Sequence, residues 1–256
     1  MKKASCSLQI LLILLLTAGC TGKGNLKKDS TARADTQVVP DTGYTGIKQY
    51  FSGNSLIKEV TFKNGIRQGE MKSFYKGGQL YQTFWYENGL REDSAKWYYL
   101  EGQIFRSTPY VNDTIHGIQK QYYKNGRLRA KLEYIKGVRT PFLEEYTRDG
   151  KLFTDYPEIT YTITDNYKTT GRVRINLDII GQSRKVDFYL GEFTNGLFDT
   201  ARINPINSVN GQTFVDLRKS GTTQPGHIGI IARCLTNFGN GYLTYKKIDL
   251  PYPDLK

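Results

Sequence analysis

The sequence predicts an all-β chain, with an elongated antiparallel sheet of about five stacked hairpin repeats followed by a C-terminal β-sandwich. Three observations predict it. One set of residues recurs every 24 positions from about Tyr50 to Leu152, and self-similarity at fixed period specifies a stacked architecture. Glycine-bearing turn signals fall twice in each period. Beyond Pro157 the period lapses, while short alternating runs continue to the C-terminus.

The repeat is read down its columns. Tyr50, Phe74, Tyr98, Tyr122 and Tyr146 share a phase, as do Leu56, Leu80, Ile104, Leu128 and Leu152. One turn column is Gly78, Gly102, Gly126 and Gly150, with Asn54 in the first copy. The other is Asn64-Gly65, Asn88-Gly89, Asn112-Asp113 and Lys136-Gly137. Tight hairpin turns need positive φ, which Gly adopts freely and Asn or Asp next most readily. Two such turns leave roughly nine residues for each strand and its flanks, too few for helix pairs and right for hairpins. Each period is therefore one hairpin, and each hairpin leans on its neighbours.

The run Tyr122-Tyr123-Lys124-Asn125-Gly126-Arg127-Leu128, repeated at five phases, resembles the MORN-type repeat in its YwqK-type antitoxin-like variant. The resemblance covers about Gly46 to Asp155. It implies a scaffold or a protein- or lipid-binding module, and the antitoxin label implies a toxin partner that it neutralises. The fifth copy departs from the pattern, with Pro141, Thr147 and Glu158 where Gly and two aromatics are expected, as terminal copies do when they cap.

At the N-terminus, Met1-Lys2-Lys3 precedes an apolar run from Leu8 to Leu16 that ends in Thr17-Ala18-Gly19-Cys20. The run is shorter than the about 20 residues of a spanning helix, so residues 1–19 read as a signal peptide. Small residues before a cysteine resemble a bacterial lipoprotein signal, which implies cleavage before Cys20 and lipidation of Cys20. Thr17 stands where Leu is usual, so plain secretion is the alternative. Residues 20–43 are polar and aperiodic, a flexible tether reaching roughly 25 Å. Residues 44–156 are the repeat domain and 157–256 the C-terminal domain.

In that last domain the candidate strands are Ile159 to Ile163, Arg172 to Ile179, Val186 to Phe193, Gln212 to Leu217, His227 to Leu235 and Tyr242 to Asp249. Turn signals separate them, including Asn195-Gly196 and Asn210-Gly211. Six or seven short strands over about 100 residues suggest an immunoglobulin-like sandwich.

Formal charge is +12, from 36 basic and 24 acidic side chains. Export makes nucleic acid an unexpected partner, leaving anionic lipids, glycans and acidic proteins. Of the three cysteines, Cys6 leaves with the signal and Cys20 carries lipid, so Cys234 is the one thiol left, a small buried hydrophobe. The two histidines, His116 and His227, lack metal-ligand spacing, and no nucleophile elbow or phosphate loop is present. The chain reads as non-enzymatic, without cofactor or metal.

Two surface features are candidate sites. Lys48, Lys72, Lys96 and Lys120 recur at one phase, broken by Glu144, and stacked hairpins would set them about 10 Å apart as a comb for a polyanion or as a solvated rim. Residues in the phase of Leu80, Phe84 and Tyr86 read as core. Tyr75, Tyr81, Trp85, Trp97, Tyr99 and Phe105 then form a second aromatic surface for a partner, or pack within a thin sheet. The expected function is a lipid-anchored module of the bacterial cell envelope that binds a protein through its repeat sheet. The alternatives are a surface module for anionic lipid or glycan, and an immunity-like protein that neutralises a toxin.

Overall fold

The computed structural model describes residues 43–256 apart from 181–185 and 224. These belong to one compact unit, Pro40–Lys256. The expected signal segment, Cys20 and nearly all of the tether lie outside the described residues. The described chain is almost entirely β.

An eleven-stranded antiparallel sheet comes first. Its strands are β1 (Gly46–Ser52), β2 (Ser55–Lys63), β3 (Ile66–Phe74), β4 (Leu80–Glu87), β5 (Leu90–Tyr98) and β6 (Ile104–Val111), then β7 (Thr114–Ile115), β8 (Gly117–Tyr122), β9 (Leu128–Ile135), β10 (Val138–Tyr146) and β11 (Leu152–Phe153). Spatial order follows chain order, with β7 pairing only β6 and β8 taking the next place.

Both turn columns behave as their chemistry requires. Asn64-Gly65, Asn88-Gly89, Asn112-Asp113 and Lys136-Gly137 all have two successive positive φ values, between 47° and 85°, the signature of the two-residue turn whose twist matches the strands. In the other column Gly78, Gly102, Gly126 and Gly150 close wider turns. The first copy differs, because there Gly53 takes the positive φ of 58° and Ser52 pairs directly with Ser55. This tighter turn slips β1 by one residue relative to the later copies.

A third glycine-type column marks β-bulges. Gly69, Asp93 and Gly117 have φ of 86°, 58° and 105°. Pro141 occupies that place in β10, and its ring fixes φ near −65°, so the ladder is instead interrupted between Arg139 and Leu143. The carbonyls released there are capped by Arg139, which donates to Thr140 O at 2.8 Å and Phe142 O at 2.7 Å.

Neighbouring periods are joined at both edges. At one, the turn amides of Gly89, Asp113 and Gly137 donate to the carbonyls of Arg67, Arg91 and Ile115. At the other, Tyr75, Tyr99 and Tyr123 donate their phenols to the carbonyls of Tyr98, Tyr122 and Tyr146, at 2.8, 2.9 and 2.7 Å.

The C-terminal half holds two smaller antiparallel sheets. One orders β12 (Ile159–Asn166), β13 (Arg172–Ile179) and β16 (Gln212–Arg218). The other orders β15 (Asn204–Ile206), β14 (Asp187–Leu190), β17 (His227–Leu235) and β18 (Gly241–Asp249). A four-residue helix, α1 (Tyr167–Thr170), links β12 to β13. The two sheets share one buried cluster that includes Val173, Ile175, Leu177, Phe188, Ile230 and Ile248. The other side of β17 is also covered, since Ile231 packs with Phe198, Ile203 and Leu243. Burial on both sides accounts for the unbroken apolar run Ile230-Ile231-Ala232.

Loop residues 236–240 meet the last strands of the large sheet. Glu145, fully buried, accepts at Oε1 from Thr236 Oγ1 at 2.7 Å and from Asn240 Nδ2 at 2.6 Å. Asn240 in turn accepts from Gln121 Nε2 at 2.7 Å, and Arg129 donates to the carbonyl of Phe238. Phe153 packs on Phe238, and Tyr156 stacks on Tyr242 with centroids 4.7 Å apart.

Candidate binding face

The large sheet has two unlike faces. One carries the apolar phase: Val60, Phe62, Met71 and Tyr86 form one buried cluster, and Ala95, Trp97 and Tyr110 another, with Phe84 touching both. This is the core face, and it contains the phase expected from Phe84 and Tyr86.

Register fixes the opposite face. Across it runs the row Gln49, Glu59, Lys72, Thr83, Lys96, Ser107, Lys120, Lys131 and Glu144, one residue per strand. Lys72, Lys96 and Lys120 therefore do stand in line. Lys48 does not. The slip of β1 sets Lys48 opposite Val60, and its ammonium lies 4.8 Å from the Tyr44 ring centre and 5.6 Å from that of Phe62, on the core side.

The row is not uniformly basic. Lys72 lies 3.0 Å from Glu70, which holds its pKa above the usual lysine range. Lys131 donates to Glu144 Oε2 at 2.8 Å, and Tyr146 donates to the same oxygen at 2.7 Å. Those two bonds hold the Glu144 carboxyl below its ordinary range. Lys96 and Lys120 are exposed and make no ion pair among the described residues.

The six aromatics separate. Trp85 is 44 % exposed and Tyr81 36 %, both on the outer face. Trp97 is only 8 % exposed and belongs to the core face, edge-on to Phe84 at 5.5 Å with the Arg106 guanidinium 4.0 Å from its ring centre. This corrects the grouping of Trp97 with Trp85. Across the two-residue turn Asn88-Gly89 pairing runs Glu87 to Leu90 and Trp85 to Glu92, so odd residues of β4 share a face with even residues of β5. Tyr75 and Tyr99 are half-buried clasps between periods rather than free platforms. They lie edge-to-face with Tyr81 at 5.0 Å and tilted against Phe105 at 5.4 Å. Phe105 also packs against the Trp97 cluster.

The neighbours of Trp85 were not singled out from the sequence. Glu70 and Glu92 flank it in register on β3 and β5. Turn lengths carry the signal that would have found them, because a two-residue turn dictates the cross-strand partner.

Other reactive groups are structurally occupied. His116 Nδ1 accepts from the backbone N–H of Lys136 at 3.3 Å, so its other nitrogen carries the proton. Gln68 and Glu92 serve the same turn position in earlier periods, bonding the amides of Asn88 and Asn112. Burial pushes the Cys234 thiol up to about 11, which leaves it a poor nucleophile near neutrality. No group of three metal-ligating side chains occurs among the described residues.

Residues 115–136 match the family model described as MORN repeat variant. The match runs from the last residue of β7 through β8 and β9, nearly one full period, and MORN repeats are generally protein- or lipid-binding modules. No curated protein and no solved structure matches the chain. The sheet that contains this period carries a face with an exposed tryptophan, Trp85, and mixed charge.

Proposed function

We propose that this is a lipid-anchored module of the bacterial cell envelope whose MORN-type sheet binds a protein partner through the outer face centred on Trp85. One observation carries the choice of a protein over an anionic membrane. Trp85 stands between two carboxylates, Glu70 and Glu92, in the same cross-strand row. The adjoining lysine row is interrupted by the Lys72–Glu70 and Lys131–Glu144 pairs. A polyanionic surface pressed onto this face would bring headgroups against those carboxylates, whereas a protein can meet both signs. Tryptophan is among the residues enriched as interface anchors.

The anchor rests on the Leu8–Leu16 run and Cys20. No described helix is long and apolar enough to cross a membrane. The C-terminal sheets, read as an antiparallel sandwich, brace the far end of the ribbon, and the reading assigns no catalytic step to either half.

The test is a crosslinking pull-down from intact cells with the full-length protein as bait, paired with binding to anionic liposomes. One protein captured at high salt, and lost with Trp85→Ala, is the expected result. Salt-sensitive liposome binding abolished by Lys96→Ser with Lys120→Ser, without any captured protein, would overturn it.

A further inference from the structure

The three-stranded sheet β12-β13-β16 turns one face to the shared core and the other outward. On the outward face, register stacks two rows. Thr162, Asn176 and Phe214 form one, and Thr160, Asp178 and Gln212 the other. A cleft of about 640 Å³ lies over these two rows, walled on one side by the turn that bears Val209 and Asn210. The wall is fixed to the floor, since Thr213 Oγ1 donates to Asn207 O at 2.6 Å and Val209 pairs with Gln212.

Phe214 is 48 % exposed, and Arg174 covers one side of its ring at 4.0 Å. The cleft is floored by residues 176 and 178 and not by 174, so it opens against the other side of that ring. Arg174 is itself held by Asp216 through two bonds, of 2.6 and 2.8 Å. The ring is thereby held at one end of the cleft.

The polar floor is also preorganised. Asp178 accepts from the Ile179 amide at 2.7 Å and from Gln212 Nε2 at 3.0 Å, so both of its oxygens are engaged. Asn176 Nδ2 donates to Thr162 and Thr164. These bonds orient the amide oxygens of Asn176 and Gln212 and the threonine hydroxyls, which retain hydrogen-bonding capacity.

We propose that this cleft binds a neutral carbohydrate chain. A pyranose offers an apolar face of C–H bonds and a rim of hydroxyls that donate and accept. The free side of Phe214 suits the first, and the row of fixed amides and hydroxyls suits the second. An anionic ligand is disfavoured, because the one charge among the described lining residues is the Asp178 carboxylate, and Arg174, against Phe214, is committed to Asp216. Adjacent strands lie about 4.8 Å apart, so three strands give a floor about two sugar rings wide. This site is separate from the Trp85 face and does not depend on it.

Affinity electrophoresis of the full-length protein tests it, in gels containing amylose, hydroxyethylcellulose, xylan, galactomannan or dextran, with alginate as the anionic comparison. The expected result is retardation by at least one neutral polymer, unchanged in high salt and in Trp85→Ala. It should fall at least tenfold in both Phe214→Ala and Gln212→Ala, with native melting curves for both. Retardation by none of the neutral polymers, by alginate alone, or undiminished in the two variants would overturn the proposal. A variant that fails to melt cooperatively is replaced by Asn176→Ala, for which the same outcomes decide.

Discussion

Tyr123 places its phenol 2.7 Å from the carbonyl of Tyr146, and Tyr75 and Tyr99 make the same bond one and two periods earlier. Each bond ties a turn to the following hairpin without a side-chain partner that could drift in sequence. A half-buried bond of this type is worth about 1 kcal/mol, and leaving its acceptor unmet costs more when water is excluded. Tyr123→Phe is therefore expected to destabilise the protein by about 1 kcal/mol in urea denaturation, with unchanged secondary structure by circular dichroism. No loss would assign the tyrosine column to ring packing alone. These hydroxyls were invisible in the sequence as clasps, because Phe and Tyr read alike in an aromatic column and the acceptor is a backbone atom 23 residues away.

At the level of the strand and turn, most of the large sheet was legible and its faces were not. Glycine and asparagine columns announced the hairpins, since few residues tolerate two successive positive φ values. Lys136 is the exception, held at φ 49° where the other copies have Asn. Lys136→Asn is expected to raise stability by about 0.5 kcal/mol, read as a higher melting temperature, because asparagine enters the left-handed region more cheaply. Periodicity alone does not carry a face across a turn. Trp97 lies on the face opposite Trp85 because a two-residue turn inverts odd and even, and Lys48 leaves the lysine row because the Gly53-Asn54 turn is tighter than its counterparts. In the C-terminal half, β13 and β17 stood out by strict alternation and by a long apolar run. The short strand β15 did not, since three residues that include Pro205 carry no period. The Phe214 cleft was unreadable for a related reason: its floor is assembled from three strands, and each row joins residues 52 positions apart, Thr160 to Gln212 and Thr162 to Phe214.

For the molecule as a whole, the decisive contact is the buried Glu145, which accepts from two donors of the 236–240 loop and has no ion pair among the described residues. Among the described residues its Oε2 and the Tyr156 hydroxyl have no hydrogen-bond partner, and burial, reinforced by the nearby Glu145 charge, pushes the Tyr156 phenol to about 12. Two effects oppose each other here. Removing the side chain strands two buried donors, at about 1–3 kcal/mol each, while removing only the charge relieves a desolvated carboxylate. Glu145→Ala is thus expected to cost about 2–4 kcal/mol and to speed hydrogen exchange over residues 236–242, and Glu145→Gln to change stability by less than about 1 kcal/mol. Equal losses in both would show that the charge itself holds the two halves together. At the opposite end of the ribbon, among the described residues, Phe51 stands where later periods have a tyrosine, and a phenylalanine has no hydroxyl to donate to the carbonyl of Phe74. Tension delivered through the chain that enters β1 would consequently peel the sheet from its first hairpin, one period at a time, while the half that carries the Phe214 cleft stays folded.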